Sequence, residues 1–216
     1  MRKIILLVFG FLMVAQASEK KSDLTPDQAL TQLLEGNKRY VTAQSKHAHE
    51  GADRRHELEK TQHPFACILS CSDSRVAPEI VFDEGLGDLF VVRVAGNVAG
   101  NAATGSIEYA VEHLGTPIVL VMGHESCGAV QATIGGGEPK THIQSLVDAI
   151  APAVAEARRK PGDLVANAVR ANVQRVVKQL RQSQPILAEQ VRKGQVKIVG
   201  AVYELDSGEV RLLPEK

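Results

Sequence analysis

The 216-residue chain is 44% apolar and 23% charged, an ordinary globular composition that fits one domain with a sizeable core. Its 25 basic and 25 acidic residues cancel, so its charge favours neither nucleic acid nor an anionic membrane surface as a partner. The first segment departs from this composition. Arg2-Lys3 precede an apolar stretch from Ile4 to Val14, and Ala15-Gln16-Ala17 supplies a small-x-small cleavage pattern. That is the form of a secretory signal peptide, and it falls short of the roughly 20 apolar residues that span a bilayer. We expect cleavage after Ala17, leaving residues 18–216 as a single exported domain, most simply periplasmic and free of the membrane. That product carries 23 basic and 25 acidic residues, a formal charge of −2.

Thr25, Pro26 and Gln28 mark a helix start: a cap, a first-turn proline and the far side of a capping box. Ala29, Leu30, Leu33, Leu34, Tyr40 and Val41 then form an apolar stripe at helical spacing, suited to docking on this domain or on a second copy. Residues 42–62 are polar, helical in part and solvent-facing, so His47, His49 and His56 read as surface histidines. From Phe65 onward strands alternate with helices. Phe65–Leu69 is a strand, followed by a short helix near Pro78–Val81, and Leu89–Val94 is a second strand. Gly100–Leu114 is a helix stopped by Gly115 and Pro117, and Ile118–Met122 is the third strand. A short helix begins at Cys127, Gly135–Gly137 with Pro139 is a loop, and helices follow near Ile143–Arg159 and Leu164–Gln182. Val196–Tyr203 is a late strand, and Asp206-Ser207-Gly208 turns the chain into a last strand, Val210–Leu213. The order predicts an α/β fold: a mostly parallel sheet flanked by helices, an antiparallel edge strand and an N-terminal helical arm.

Two short motifs stand just beyond two of these strands. Cys71-Ser72-Asp73-Ser74-Arg75 follows the first, and Gly123-His124-Glu125-Ser126-Cys127-Gly128 follows the third. Two thiolates, an imidazole and a carboxylate form a sensible zinc shell, and sulfur donors select zinc over magnesium, calcium or manganese. Ligands of open parallel sheets gather beyond the carboxyl ends of strands, where both motifs lie. Taken singly, Cys71 and Cys127 read as buried thiols, His124 as a satisfied core residue and Asp73–Arg75 as a surface ion pair. Three cysteines cannot all pair, so a disulfide framework explains them poorly. Cys67, about 13 Å from Cys71 along an extended strand, reads as a small buried hydrophobe.

Together the Cys-x-Asp-x-Arg and His-x-x-Cys-Gly motifs, in this strand context, resemble the β-class carbonic anhydrases over essentially the whole chain after the leader. The resemblance implies zinc, one ion per subunit, held by Cys71, Asp73, His124 and Cys127, with Asp73 and Arg75 as a paired catalytic switch. It implies reversible hydration of carbon dioxide to bicarbonate and a homodimer or homotetramer. Gln62, Phe90 and Tyr109 match substrate-cleft residues of the plant-like branch, with Gln62 a hydrogen-bond partner, and Gly128 closes the second motif beside the substrate. Ala95 stands where that branch carries a larger aliphatic residue. Another branch builds a regulatory bicarbonate site around a Trp; here Ile68 fills that position, so the site is not expected, although Arg93 is present.

Zinc with three His ligands lowers the pKa of water from about 15.7 toward neutrality. Two thiolates cancel the formal charge of zinc, so less acidic water and activity rising toward alkaline pH are expected here. Four protein ligands describe a closed zinc site, and a bidentate Asp73–Arg75 pair is the expected way to open it. Two other classes compete: a structural zinc protein with all four ligands permanently bound, and a hydrolase acting on carbon disulfide or carbonyl sulfide. A redox role is less favoured, since Cys71 and Cys127 form no Cys-x-x-Cys pair.

Overall fold

Strands buried on both faces need unbroken apolar side chains, and the two central segments of this chain supply them. The computed structural model describes residues 22–137 and 140–214, so the expected leader and Pro139 lie outside the described residues. In chain order the elements are α1 (Pro26–Val41), α2 (Ala52–Glu57), β1 (Ala66–Ser70), α3 (Pro78–Val81), β2 (Leu89–Arg93), a 3-10 turn (Ala95–Asn97), α4 (Asn101–Glu112) and β3 (Ile118–His124). There follow α5 (Gly128–Gly135), α6 (Gln144–Ala157), α7 (Leu164–Arg181), α8 (Ile186–Arg192), β4 (Lys197–Tyr203) and β5 (Val210–Leu212). The sheet order is β2-β1-β3-β4-β5, with the first four strands parallel and β5 antiparallel to β4. Every residue of β1 and β3 is buried. No described helix is long and apolar enough to cross a membrane.

Helices cover both faces. On one, Ile107 and Ala110 of α4, Val173, Val177 and Leu180 of α7 and Leu187 of α8 pack on Leu69, Val119 and Val121. On the other, Ala29 and Leu33 of α1 and Val81 of α3, with Phe82, pack on Ile68, Leu120 and Met122. A third cluster gathers Cys71 and Cys127 with Val98, Val130, Ile150, Val154 and Val169 at the carboxyl end of the sheet. The chemistry sits there.

The expected capping box opens α1: the Thr25 side chain accepts from the Gln28 N–H, and Gln28 accepts from the Thr25 N–H. The predicted stripe lies on its own domain. Ala29 and Leu33 are fully buried, Leu30 and Tyr40 flank them, and Val41 is exposed. Polarity hid two further contacts. Asn37 donates to the carbonyls of Val81 and Gly208 and accepts from the Val210 N–H, tying α1 to α3 and the β4–β5 hairpin. Gly36 faces the Phe82 carbonyl, and a Cβ there would meet that oxygen at 1.8 Å. Residues 42–62 are helical only over α2, and His49 is held by Asp88 at 2.7 Å. The segment Ile186–Arg192 adds a helix that the sequence reading did not include.

Two glycines should respond oppositely to alanine. Gly105, inside α4 with open space around its Cα, gains helix propensity worth up to about 1 kcal/mol when replaced. Gly36→Ala should instead destabilise, because backbone blocks the added methyl; denaturant midpoints of both variants decide this. Burial and the neighbouring Asp88 charge push the Glu84 carboxyl up to about 7 from its ordinary 4.5. The folded chain therefore keeps a proton that the unfolded chain loses, and stability declines as pH rises from about 4.5 to 7. Glu84→Gln should remove that decline and be more stable than the parent at pH 8; an unchanged slope in urea midpoints against pH contradicts the assignment.

Candidate metal centre

Because β1 and β3 are hydrogen-bonded neighbours in parallel register, with Ser70 opposite Met122, their carboxyl ends emerge side by side. Cys71 leaves β1 immediately after Ser70, and His124 is the last residue of β3. The chain then turns sharply, with Ser126 in the left-handed region at φ 52°, and Cys127 caps the start of α5. The donor atoms of Cys71, His124 and Cys127 all lie within 4.8 Å of one another, and all three residues are buried. Among the described residues this is the one such group of three or more potential ligands.

The protonation of His124 follows from its partner. Nδ1 lies 2.8 Å from the Glu125 carbonyl, which only accepts, so Nδ1 carries the hydrogen. Nε2 then presents a lone pair, fully buried and with no hydrogen-bond partner. A buried nitrogen aimed at two sulfurs fits a soft or borderline cation such as zinc, and the second hydrogen bond on the ring is the usual support for a metal-bound imidazole. The Cys71 sulfur accepts a hydrogen bond from the Gly96 N–H at 3.2 Å. Contact with Cys127, then with His124, Gly96 and Asp73, lowers the Cys71 thiol despite its burial. The same contact and burial push Cys127 up. Cys67 is fully buried, and desolvation raises its thiol to about 12, so it packs as the inert hydrophobe expected.

Asp73 stands beside the trio but faces Arg75. Its Oδ1 accepts from Arg75 Nε at 2.9 Å and from the Arg75 backbone N–H at 3.0 Å, while Oδ2 accepts from Nη2 at 2.8 Å. The guanidinium holds this carboxyl far below the usual range. Oδ2 is nevertheless only 3.8 Å from His124 Nε2. The carboxylate is thus engaged by Arg75 and close to the place a metal would take.

The expected cleft residues divide. Ala95 lies in the turn that presents Gly96 to Cys71, and Gly128 is the first residue of α5 after Cys127. Phe90 instead pairs with Cys67, about 13 Å of strand before Cys71. Its ring lies 6.2 Å from that of Tyr109, which stacks on His113 at 5.1 Å. Gln62 is exposed before β1. Two supporting residues had gone unnoticed in the sequence: Gly96, whose backbone takes φ 70°, and buried Asn172 of α7, which donates to the Gly96 carbonyl at 2.8 Å. An Asn among the valines of α7 was the available signal.

Zinc should survive dialysis against a weak chelator in the parent chain. Cys71→Ser and Cys127→Ser should each lower zinc affinity by more than the 10–100-fold typical of an outer-shell change. Parent-like zinc content by mass spectrometry in either variant would contradict the trio as ligands.

A family profile described as carbonic anhydrase matches residues 66–210. A carbonic anhydrase from Mycolicibacterium smegmatis is 41% identical over 191 residues, 87% of this chain and 93% of that protein. Carbonic anhydrase 2 of Mycobacterium tuberculosis is 41% identical over 187 residues, covering 85% and 90%. Among solved structures, the β-carbonic anhydrase CcaA is 27% identical and superposes with a TM-score of 0.68 over 86% of this chain and 95% of its own. A tetrameric β-carbonic anhydrase from Sordaria macrospora, 22% identical, shares the fold with a TM-score of 0.70 over 86% and 97%. The sheet order, the Cys-His-Cys cluster and these relatives agree: the chain belongs to the carbonic anhydrase family, in its β class, and is an enzyme of the lyase group.

Proposed function

We propose that this carbonic anhydrase hydrates carbon dioxide at one zinc ion per subunit, with Asp73 switching between the metal and Arg75. One observation carries the reading: Asp73 is held by Arg75 through a bidentate fork while its Oδ2 stays 3.8 Å from His124 Nε2. Cys71, His124 and Cys127 would hold the ion, which would acidify water and so supply hydroxide to add to carbon dioxide. Paired with Arg75, the carboxylate would leave the fourth position to water, and the Oδ2 lone pair that Arg75 does not use would accept a hydrogen bond from it. Released from Arg75, Asp73 would take the fourth position and close the site. Arg suits the role better than Lys because its planar fork matches both carboxylate oxygens.

The chain follows the plant-like branch at Gln62, Phe90 and Tyr109. Since Phe90 lies about 13 Å of strand from Cys71 and Tyr109 is exposed, a second copy is the proposed route by which these side chains reach a metal. A homodimer or homotetramer serves that arrangement, and the relative from Sordaria macrospora is described as tetrameric. Export by the leader at residues 1–17 places the enzyme outside the cytoplasm, most simply in a periplasm.

Arg75→Ala should keep its zinc and lose most carbon dioxide hydration in stopped-flow assays, whereas full activity refutes the switch. In the parent, hydration should rise from neutral to alkaline pH, because two thiolates leave the metal less able to acidify water. A rate that is flat or falls over that range contradicts this.

A further inference from the structure

Apart from buried Cys71 and Val76, the loop that carries Cys71 and Asp73 has little packing of its own. Ser72, Ser74 and Arg75 are exposed, and the loop's own backbone tie is the Val76 N–H bonded to the Asp73 carbonyl at 3.0 Å. A side chain from the neighbouring strand adds two ties to its backbone. Arg93 ends β2 opposite Ser70, the last residue of β1, so its stem starts level with the loop. Its Nε donates to the Cys71 carbonyl at 3.2 Å, and its Nη2 donates to the Asp73 carbonyl at 2.7 Å. The two carbonyls belong to the two residues of this loop that bear candidate ligand groups. A guanidinium holds its donors in a rigid plane, so one Arg fixes both carbonyls relative to each other.

We propose that Arg93 is a positioning residue: its guanidinium clasps the Cys71–Asp73 loop by two backbone carbonyls and so sets where the Cys71 sulfur and the Asp73 carboxylate stand at the metal. This rests on the reading that Cys71, His124 and Cys127 hold zinc. Its hydrogen bonds go to the loop's backbone carbonyls and not to the candidate donor atoms or the Asp73 carboxylate, so it acts through the loop. Removing it frees the loop to drift, which loosens Cys71 as a ligand and blurs the placement of Asp73. Lys reaches the same region with a single compact ammonium and restores one contact at best.

The test compares zinc-loaded parent, Arg93→Ala, Arg93→Lys and Ile107→Val. The last is a buried change in α4, away from the loop, that controls for a general loss of stability. Zinc release into a chromophoric chelator is followed beside thermal melts and stopped-flow hydration. Arg93→Ala should release zinc about tenfold faster than the parent, in the range of other supporting-shell losses, with Arg93→Lys between them and Ile107→Val unchanged. Its kcat should fall with little change in KM. Release from Arg93→Ala at the parent rate, or no faster than from Ile107→Val, overturns the proposal. The release measurement needs no hydration activity, so a parent that holds zinc without hydrating carbon dioxide would defeat the proposed function and leave Arg93 judged on release alone.

Discussion

Two sulfurs and one bare imidazole nitrogen are buried together at the end of a parallel sheet, and that arrangement organises the rest of the molecule. A buried polar atom without a partner is costly, and His124 Nε2 is such an atom. A divalent cation shared with two thiolates resolves it, and no hydrogen-bond donor among the described residues does so. The site is therefore built as an apolar box with one chemical demand inside it. Ile150, Val154 and Val169 form the walls.

Sheet topology meets that demand without long-range reach. Cys71 and His124 are far apart in sequence, yet β1 and β3 are direct neighbours, so each ligand needs only to be the residue at a strand end. Cys127 enters through a tight turn into α5. Gly96 completes the enclosure by aiming its N–H at the Cys71 sulfur, and Asn172 holds the Gly96 carbonyl from the far side. His124 and Cys127 are thus placed by rigid elements, and Cys71 by the end of β1, the Gly96 N–H and the Arg93 clasp on its carbonyl. Asp73, between exposed Ser72 and Ser74, is held instead by Arg75 through a bidentate fork.

Much of this was legible in the sequence because it rests on local rules. Phe65–Leu69 and Ile118–Met122 are unbroken apolar runs, which a doubly covered parallel sheet requires, and each is followed at once by metal-type donors. Thr25, Pro26 and Gln28 announced the first helix through capping chemistry that needs only neighbours. What stayed hidden depends on tertiary placement. Helix α8 is short, and its start follows Pro185, so periodicity had too little length to act on. Gly36 and Asn37 bury on α1 because a carbonyl of another segment approaches there, which no helical stripe encodes. Gly96 matters for a backbone N–H and Asn172 for its reach to that turn. The names Gln62, Phe90 and Tyr109 came from resemblance, and strand register places Phe90 opposite Cys67, well before Cys71 on the strand.

X-ray absorption at the zinc edge, on the zinc-loaded chain across neutral to alkaline pH, reads the central claim most directly. The account predicts two sulfur neighbours, one imidazole nitrogen and one oxygen neighbour throughout. A shell of four sulfurs, or a shell without sulfur, would contradict it.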